Sequence, residues 1–322
     1  MVWRSHPGLN SRPMTTRLIH SDTFISDEVN TAIAEHRPVV ALETTLVTHG
    51  LPQPDGEQVA LSLEETVRGR GATPATIGVL EGRICVGMSQ FELERLAATP
   101  RVAKLNLSNF AAQLASGASG STTVAATIFV AHRVGISVFA TGGIGGVHRG
   151  AAKTGDVSAD LIALSRYRVV VVSAGAKAIL DLPKTVEMLE TLGVPVLGFG
   201  TDEFPAFYRR QSGLRVDRRC DDIDSLAAAV RMHFDLGFGT GVVIGNPIPA
   251  ADELPLDVYD RALTAALAAA AEQDVQGRDV TPFLLEQMRL LTTGESVAVN
   301  QSLLVNNALV AADLAVKLAR PG

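Results

Sequence analysis

The sequence predicts an α/β fold: a mainly parallel sheet with helices on both faces and a helical C-terminal third. Three observations predict it. Short, unbroken Val/Ile runs such as RVVVVSAG (168–175) alternate with stretches of helical periodicity, as expected of strands buried on both faces by crossover helices. Of 322 residues, 47% are hydrophobic but only 5% aromatic. That apolar content excludes a disordered chain and means a core built from Ala, Val, Leu and Ile. The last third is Ala- and Leu-rich helical text with little strand punctuation.

Residues 1–22 carry Arg and His but no acid before Asp22, and they lack the apolar or amphipathic segment of a targeting peptide. They are read as a disordered N-terminal extension before a single α/β catalytic domain, 23–322. FISDEVNTAIAEH (24–36) reads as a helix and PVVALETT (38–45) as a buried strand ending in polar residues. ATIGVLEGRICVG (75–87) reads as a hairpin, because Glu81-Gly82 punctuates two β-rich runs. A helix at 122–135, a strand at 136–143 entering glycines, a helix at 158–167 and the four-valine strand at 168–175 follow. KAILDLPKTVEMLETLG (177–193) reads as a helix broken at Pro183, and 195–200 and 241–246 as short strands. Helices over 256–273, 281–294 and the closing SVAVNQSLLVNNALVAADLAVKLA complete the chain.

Composition removes several function classes. The net charge is −6 and the pI about 5.7, with no basic run to grip nucleic-acid phosphates. Cys85 and Cys220 are too few for a disulfide framework and lack metal-site spacing, which suits a reducing cytoplasm. No apolar stretch reaches the ~18 residues of a membrane span, so a soluble, cytoplasmic protein with no membrane partner is expected. Of the 28 basic residues only five are Lys, at 104, 153, 177, 184 and 317. Coding bias explains most of that, but only Lys can become a neutral amine nucleophile.

In open α/β sheets ligands gather at the carboxyl ends of strands, and five segments bring polar residues there. Glu43 ends an apolar strand, where burial would raise its pKa into the range of a general acid; pairing with an Arg or capping a helix is the alternative. GGIGGVHRG (142–150) could turn backbone N–H groups toward an anion beside His148 and Arg149, or could simply turn sharply. It does not fit G-x-G-x-x-G. Asp156, Ser158 and Asp160 offer hard oxygen ligands for Mg²⁺ or Mn²⁺, although Ser158-Ala-Asp is also an ordinary helix N-cap, the commoner explanation. Lys177 follows Ala174-Gly175-Ala176, a setting that could desolvate an imine-forming lysine or let a lysine snorkel. Asn300, Asn306 and Asn307 sit in apolar helical text, where amides need partners; one could read a pyrimidine imide edge, or all could join helices.

Several of these segments match one family in order, from about residue 24 to 318. ALETTLVTHGLPQP (41–54), GSTTVAATIFVAH (120–132), FATGGIGGVHRG (139–150), DVSADL (156–161), SAGAKAILDLPKTVEMLETLGVPV (173–196), FPAFY (204–208), NPIP (246–249), TPFLL (281–285) and GESVAVN (294–300) resemble the pseudouridine-5′-phosphate glycosidases. The resemblance implies reversible cleavage of pseudouridine 5′-phosphate to uracil and ribose 5-phosphate by a pseudouridylate synthase/glycosidase of the carbon–oxygen lyase (hydro-lyase) class. It also implies a divalent metal, typically Mn²⁺, and a homotrimer. By position, Glu43 matches the proton donor, Lys177 the imine-forming nucleophile and Asp156 the metal ligand. Ser158, Ala159, Asp160, Lys104 and Val124 match substrate contacts, and His148 and Asn300 match residues near the sugar phosphate and base. One departure stands out: after Lys104 the family usually has a basic–basic–Asp stretch, whereas here Leu105-Asn106-Leu107-Ser108-Asn109 follows. Two rival functions fit parts of the pattern, another imine-forming aldolase on a phosphorylated sugar and a non-enzymatic sensor of sugar phosphates or nucleotides. A sensor would not need a nucleophilic lysine.

Overall fold

The computed structural model describes residues 23–50, 55–275 and 280–319; the extension expected at 1–22 and the LPQP of 51–54 lie outside them. The first third holds β1 (Thr23–Ile25), α1 (Asp27–Ala34), β2 (Val39–Glu43), α2 (Asp55–Gly69), β3 (Thr73–Leu80), β4 (Arg83–Val86) and α3 (Gln90–Ala98). The middle holds β5 (Ala103–Leu105), α4 (Phe110–Ala115), β6 (Gly120–Thr122), α5 (Val124–Val134), β7 (Val138–Ala140), α6 (Ala151–Thr154), α7 (Ala159–Arg166), β8 (Val170–Ser173) and α8 (Leu182–Thr191). The remainder is β9 (Val196–Phe199), β10 (Arg218–Cys220), α9 (Ile223–Asp235), β11 (Val242–Gly245), α10 (Leu256–Glu272), α11 (Val280–Leu291) and α12 (Glu295–Ala319).

Among the described residues the strands join one sheet in the order β1-β4-β3-β2-β7-β8-β11-β9-β10, with β6 against β3 and β5 against β6. Pairing is parallel except at β3–β4 and β3–β6, so the expected mainly parallel sheet is present. The central strands are buried on both sides: Val40, Ala41, Phe139 and Val170–Val172 are each 0% exposed. Unbroken Val/Ile text follows directly from that double burial. One face is covered by α12 with α2 and α9, the other by α5 with α7 and α1.

Three expectations are corrected. Phe24 and Ile25 do not belong to the first helix; they form β1, parallel to β4, and Ser26 caps α1 by accepting from Val29 N–H. The text after Lys177 is not a helix broken at Pro183. The helix begins at Leu182, Asp181 caps it, and Pro183 lies in its first turn, where a missing N–H costs nothing. Finally, α12 is long and apolar enough by length and composition to cross a membrane, contrary to the reading of the sequence. It packs along β2, β7 and β8, and its Leu303, Ala308, Ala311, Ala312 and Leu314 are fully buried. Its apolarity is that of a core helix shielding a sheet. Interspersed Asn and Asp had concealed the length of the run.

Candidate active site

Strands β2, β7, β8 and β11 run in register, with Leu42 opposite Ala140, Ala140 opposite Val172, and Ser173 opposite Gly245. Their carboxyl ends therefore open at one edge, and the site is built there. Glu43, the last residue of β2, is 8% exposed. Thr141, just past β7, donates its hydroxyl to Glu43 Oε1 at 2.5 Å. Burial pushes the Glu43 carboxyl above its ordinary value, and the charge of Lys177 and the Thr141 hydrogen bond only partly oppose it. A carboxyl in that state holds a proton to higher pH, as a general acid requires.

Thr141 is itself held from behind. Fully buried Asn307 of α12 donates to the Thr141 carbonyl at 2.8 Å and accepts from Asn246 Nδ2, past β11, at 2.9 Å. This amide pair locks the ends of β7 and β11 to α12. Thr141→Val keeps the shape but removes the donor that favours ionised Glu43. The Glu43 carboxyl should then titrate at still higher pH than in the parent chain, as followed by carboxyl-labelled NMR. An unchanged or lowered titration point would contradict this role for Thr141.

Lys177 is positioned by a crossed pair of loops. Residues 174–177 run beside the glycine loop, with Ala174 N donating to Gly142 O, Ile144 N to Gly175 O and Lys177 N to Ile144 O. Gly175 has φ +77°, and a Cβ there would lie 1.8 Å from the Pro205 carbonyl oxygen. Only glycine fits. Lys177 is half-buried, and among the described residues its amine makes no hydrogen bond or ion pair.

The glycine loop is a sharp turn, not an anion cradle. The N–H groups of Ile144, Gly145, Val147 and His148 are taken by Gly175 O, Asp160 Oδ2, Thr185 Oγ1 and Asp156 O. Its glycines admit neighbours: a Cβ on Gly145 would meet Ser158 Oγ at 2.3 Å, and one on Gly146 would meet Thr185 Oγ1 at 2.4 Å. Asp160 is buried, accepting from Gly145 N at 2.7 Å and from Ala125 N, in the first turn of α5, at 2.9 Å. It thus joins α5, α7 and the glycine loop, while Ser158 caps α7.

Two adjoining chambers result. The larger, ≈ 230 Å³, is polar and is lined by Asp156, His148, Ser158, Ala159, Val124 and Thr123 among others. The smaller, ≈ 60 Å³, has Phe207, Leu285 and Leu304 beside Thr141, Asn300 and His49. Glu43, Thr45, Lys104, Lys177 and Thr281 border both. Every residue matched by position to the family's site lies at these chambers, whereas Arg149, Asn306 and Asn307 line neither, and Asn306 and Asn307 instead donate to the Pro247 and Thr141 carbonyls. Burial lowers the His148 pKa despite Asp156 Oδ2 at 3.8 Å from its Nδ1. The altered segment after Lys104 is a clasp. Asn109 accepts from Asn106 N at 2.7 Å and donates to Lys104 O at 3.1 Å, and buried Leu105 fills the space that Gly120 leaves. Asn106, Ser108 and Asn109 also line the polar chamber.

Among the described residues no three carboxylate, imidazole or thiol groups converge on one point. Both Asp160 oxygens are committed to backbone N–H groups and Glu43 is held by Thr141, which leaves Asp156, 3.8 Å from the His148 imidazole, as the chamber carboxylate open to an ion. One open carboxylate, Asp156, fits a hard divalent ion that keeps most of its water, as Mg²⁺ and Mn²⁺ do, and does not fit zinc. Sequence reading missed Thr141, Asn246 and Thr281. A hydroxyl directly after a strand end was the available signal for the first; the others come from distant elements.

Comparison with known proteins gives a consistent result. A family described as indigoidine synthase A like protein matches residues 28–317. Curated relatives include a pseudouridine-5′-phosphate glycosidase from Caldanaerobacter subterraneus subsp. tengcongensis, 48% identical over 294 residues, 91% of this chain and 96% of that protein. Another, from Paracoccus denitrificans, carries the same name and is 50% identical over 297 residues, 92% of this chain and 98% of that protein. Among solved structures, the prealnumycin C-glycosynthase AlnA in complex with ribulose 5-phosphate is 39% identical with a TM-score of 0.86, covering 93% of this chain and 98% of its own. An indigoidine synthase A (IdgA)-like protein from Thermotoga maritima is 38% identical, with a TM-score of 0.85 and coverage of 94% and 99%.

Proposed function

The chain belongs to the indigoidine synthase A like family, alongside pseudouridine-5′-phosphate glycosidases, and from that premise we propose that it is an enzyme cleaving the C1′–C5 bond of pseudouridine 5′-phosphate, reversibly, to uracil and ribose 5-phosphate. The observation that carries this reading is the pairing of Lys177, whose amine makes no hydrogen bond or salt bridge among the described residues, with a buried carboxyl, Glu43, across one doubled cavity.

A carbon leaving group cannot be released by protonating a glycosidic oxygen, so the paired-carboxylate scheme of ordinary glycosidases does not serve. Lys177 Nζ bonds to C1′ while the C1′–O4′ bond breaks and O4′ takes up a proton, opening the ribose. Glu43 delivers its proton to C5 of the ring. The C1′–C5 pair then passes into the ring to restore its C5=C6 bond, and the nitrogen lone pair forms the C1′=N imine. Water hydrolyses the imine to the aldehyde of ribose 5-phosphate and frees Lys177. Water is thus the co-substrate, in keeping with the hydro-lyase class. Charge developing on a ring oxygen is met by the Asn300 amide, which makes no hydrogen bond among the described residues.

The polar chamber is read as the sugar-phosphate end. The first turns of α5 and α7 abut it at Thr123-Val124 and Ser158-Ala159, and helix N-termini suit phosphate. That explains how apolar Val124 and Ala159 serve as substrate contacts, through main-chain N–H groups. Lys104 adds the side-chain charge, with His148 and Asp160 alongside. Asp156 would hold a divalent ion, Mn²⁺ by preference in its hard-oxygen, water-rich setting, whose chemistry is to orient sugar hydroxyls and water. A homotrimeric, cytoplasmic enzyme completes the reading. Exhaustive chelation should abolish turnover of pseudouridine 5′-phosphate, and Mn²⁺ or Mg²⁺ should restore it. Full activity after chelation would remove the metal from the proposal.

A further inference from the structure

We propose that His49 is a specificity-determining residue: with Asn300 it reads the polar edge of the departing six-membered ring in the small chamber. This rests on the function proposed above. His49 lies in the single wide turn Leu46–Gly50 that follows β2. Buried Val47 anchors this turn, and α2 starts so close to it that a Cβ on Gly56 would meet the Val47 carbonyl at 2.7 Å. The imidazole is fixed along one edge. Thr48 Oγ1 lies 2.6 Å from His49 Nδ1 and 2.5 Å from the hydroxyl of fully buried Ser121 in β6.

The other ring nitrogen, Nε2, has no hydrogen-bond partner among the described residues, and the same holds for the Asn300 amide. Both side chains border the small chamber and the outer bowl in front of it. Around them the chamber is apolar, with Phe207, Leu285 and Leu304 forming walls suited to a flat ring. Both side chains are part-buried, so their unpaired groups are open to a ligand entering from the bowl. Burial and the charge of Lys104 hold the imidazole pKa below its ordinary value. A neutral imidazole anchored at Nδ1 offers a single hydrogen bond at Nε2, and the amide offers a donor and an acceptor. Together they match the alternating carbonyl and N–H of an imide edge.

The test uses the synthetic direction, where the ring and the sugar are varied separately. Borohydride trapping of ribose 5-phosphate on Lys177 needs no ring and reports the sugar half of the site. H49A should raise KM for uracil by about tenfold or more while trapping stays within about twofold of the parent. A glutamine amide nitrogen falls near Nε2 and an asparagine one near Nδ1, so H49Q should restore uracil KM and H49N should not. Unchanged uracil KM in H49A, or trapping lost along with it, would overturn the proposal. So would H49Q no better than H49N, a comparison that stands even if H49A fails to fold. A parent chain that neither traps the sugar nor turns over would overturn the proposed function and this inference together.

Discussion

Lys177→Ala should abolish turnover, by ~10⁴-fold or more, the scale on which loss of a covalent nucleophile is felt. The parent chain, incubated with ribose 5-phosphate and borohydride, should gain one ribose phosphate on Lys177. The open-chain aldehyde needs an uncharged amine, and the structure ranks the five lysines as candidates. Lys184 is paired with Asp181 at 2.6 Å and Lys317 with Asp224. Lys153 is exposed on α6 and lines neither chamber. Lys104 alone shares both chambers with Lys177. Peptide mapping is therefore a contest between two residues. Label on Lys104, or robust catalysis by Lys177→Ala, would mean that the nucleophile has been misassigned.

Glu43→Gln should reduce turnover by about 10²–10⁴-fold, the usual contribution of general acid catalysis, while sugar trapping on Lys177 persists. The amide keeps the shape and can still meet Thr141 but carries no proton for C5. The pH dependence has a definite sign. Because the folded pKa of Glu43 lies above the ordinary 4.5, the proton-bearing form, and with it turnover, is lost as pH rises through the folded value. Stability follows the same direction. Ionising this buried group in the unfolded chain comes first, so the parent loses stability relative to the Gln variant as pH climbs from 4.5 through the folded pKa. Thermal melts across that window would measure it. A Gln variant with activity within about threefold of the parent, or melts that diverge only below pH 4.5, would remove Glu43 from its role.

Much of the site was legible because strand ends are legible. VVALETT stops at Glu43 and VVVVSAGAK leads to Lys177, and in a parallel sheet such ends share one edge. The glycine loop was also visible, but its purpose was not. Four glycines suit an anion cradle and a close crossing equally well, and only the engagement of the Ile144, Gly145, Val147 and His148 N–H groups separates the two. Asp156 and Asp160 read alike as hard ligands. Two backbone donors from separate elements commit Asp160 to holding α5, α7 and the loop together, while Asp156 keeps its place on the cavity wall.

The sequence by itself determined the fold class and the succession of the main strands along the chain, and it offered Glu43 and Lys177 at strand ends as candidates for the reactive pair. Those depend on local apolar runs, caps and punctuation, which neighbouring residues set. Only the tertiary structure decided where α12 goes, that Thr141 and the Asn246–Asn307 pair stand behind Glu43, and that His49 and Asn300 face one small apolar space. These contacts join residues 61 to 166 positions apart. No local propensity encodes such a meeting; it exists once the sheet has brought the ends of β2, β7 and β11 to a common edge and a core helix has closed over them.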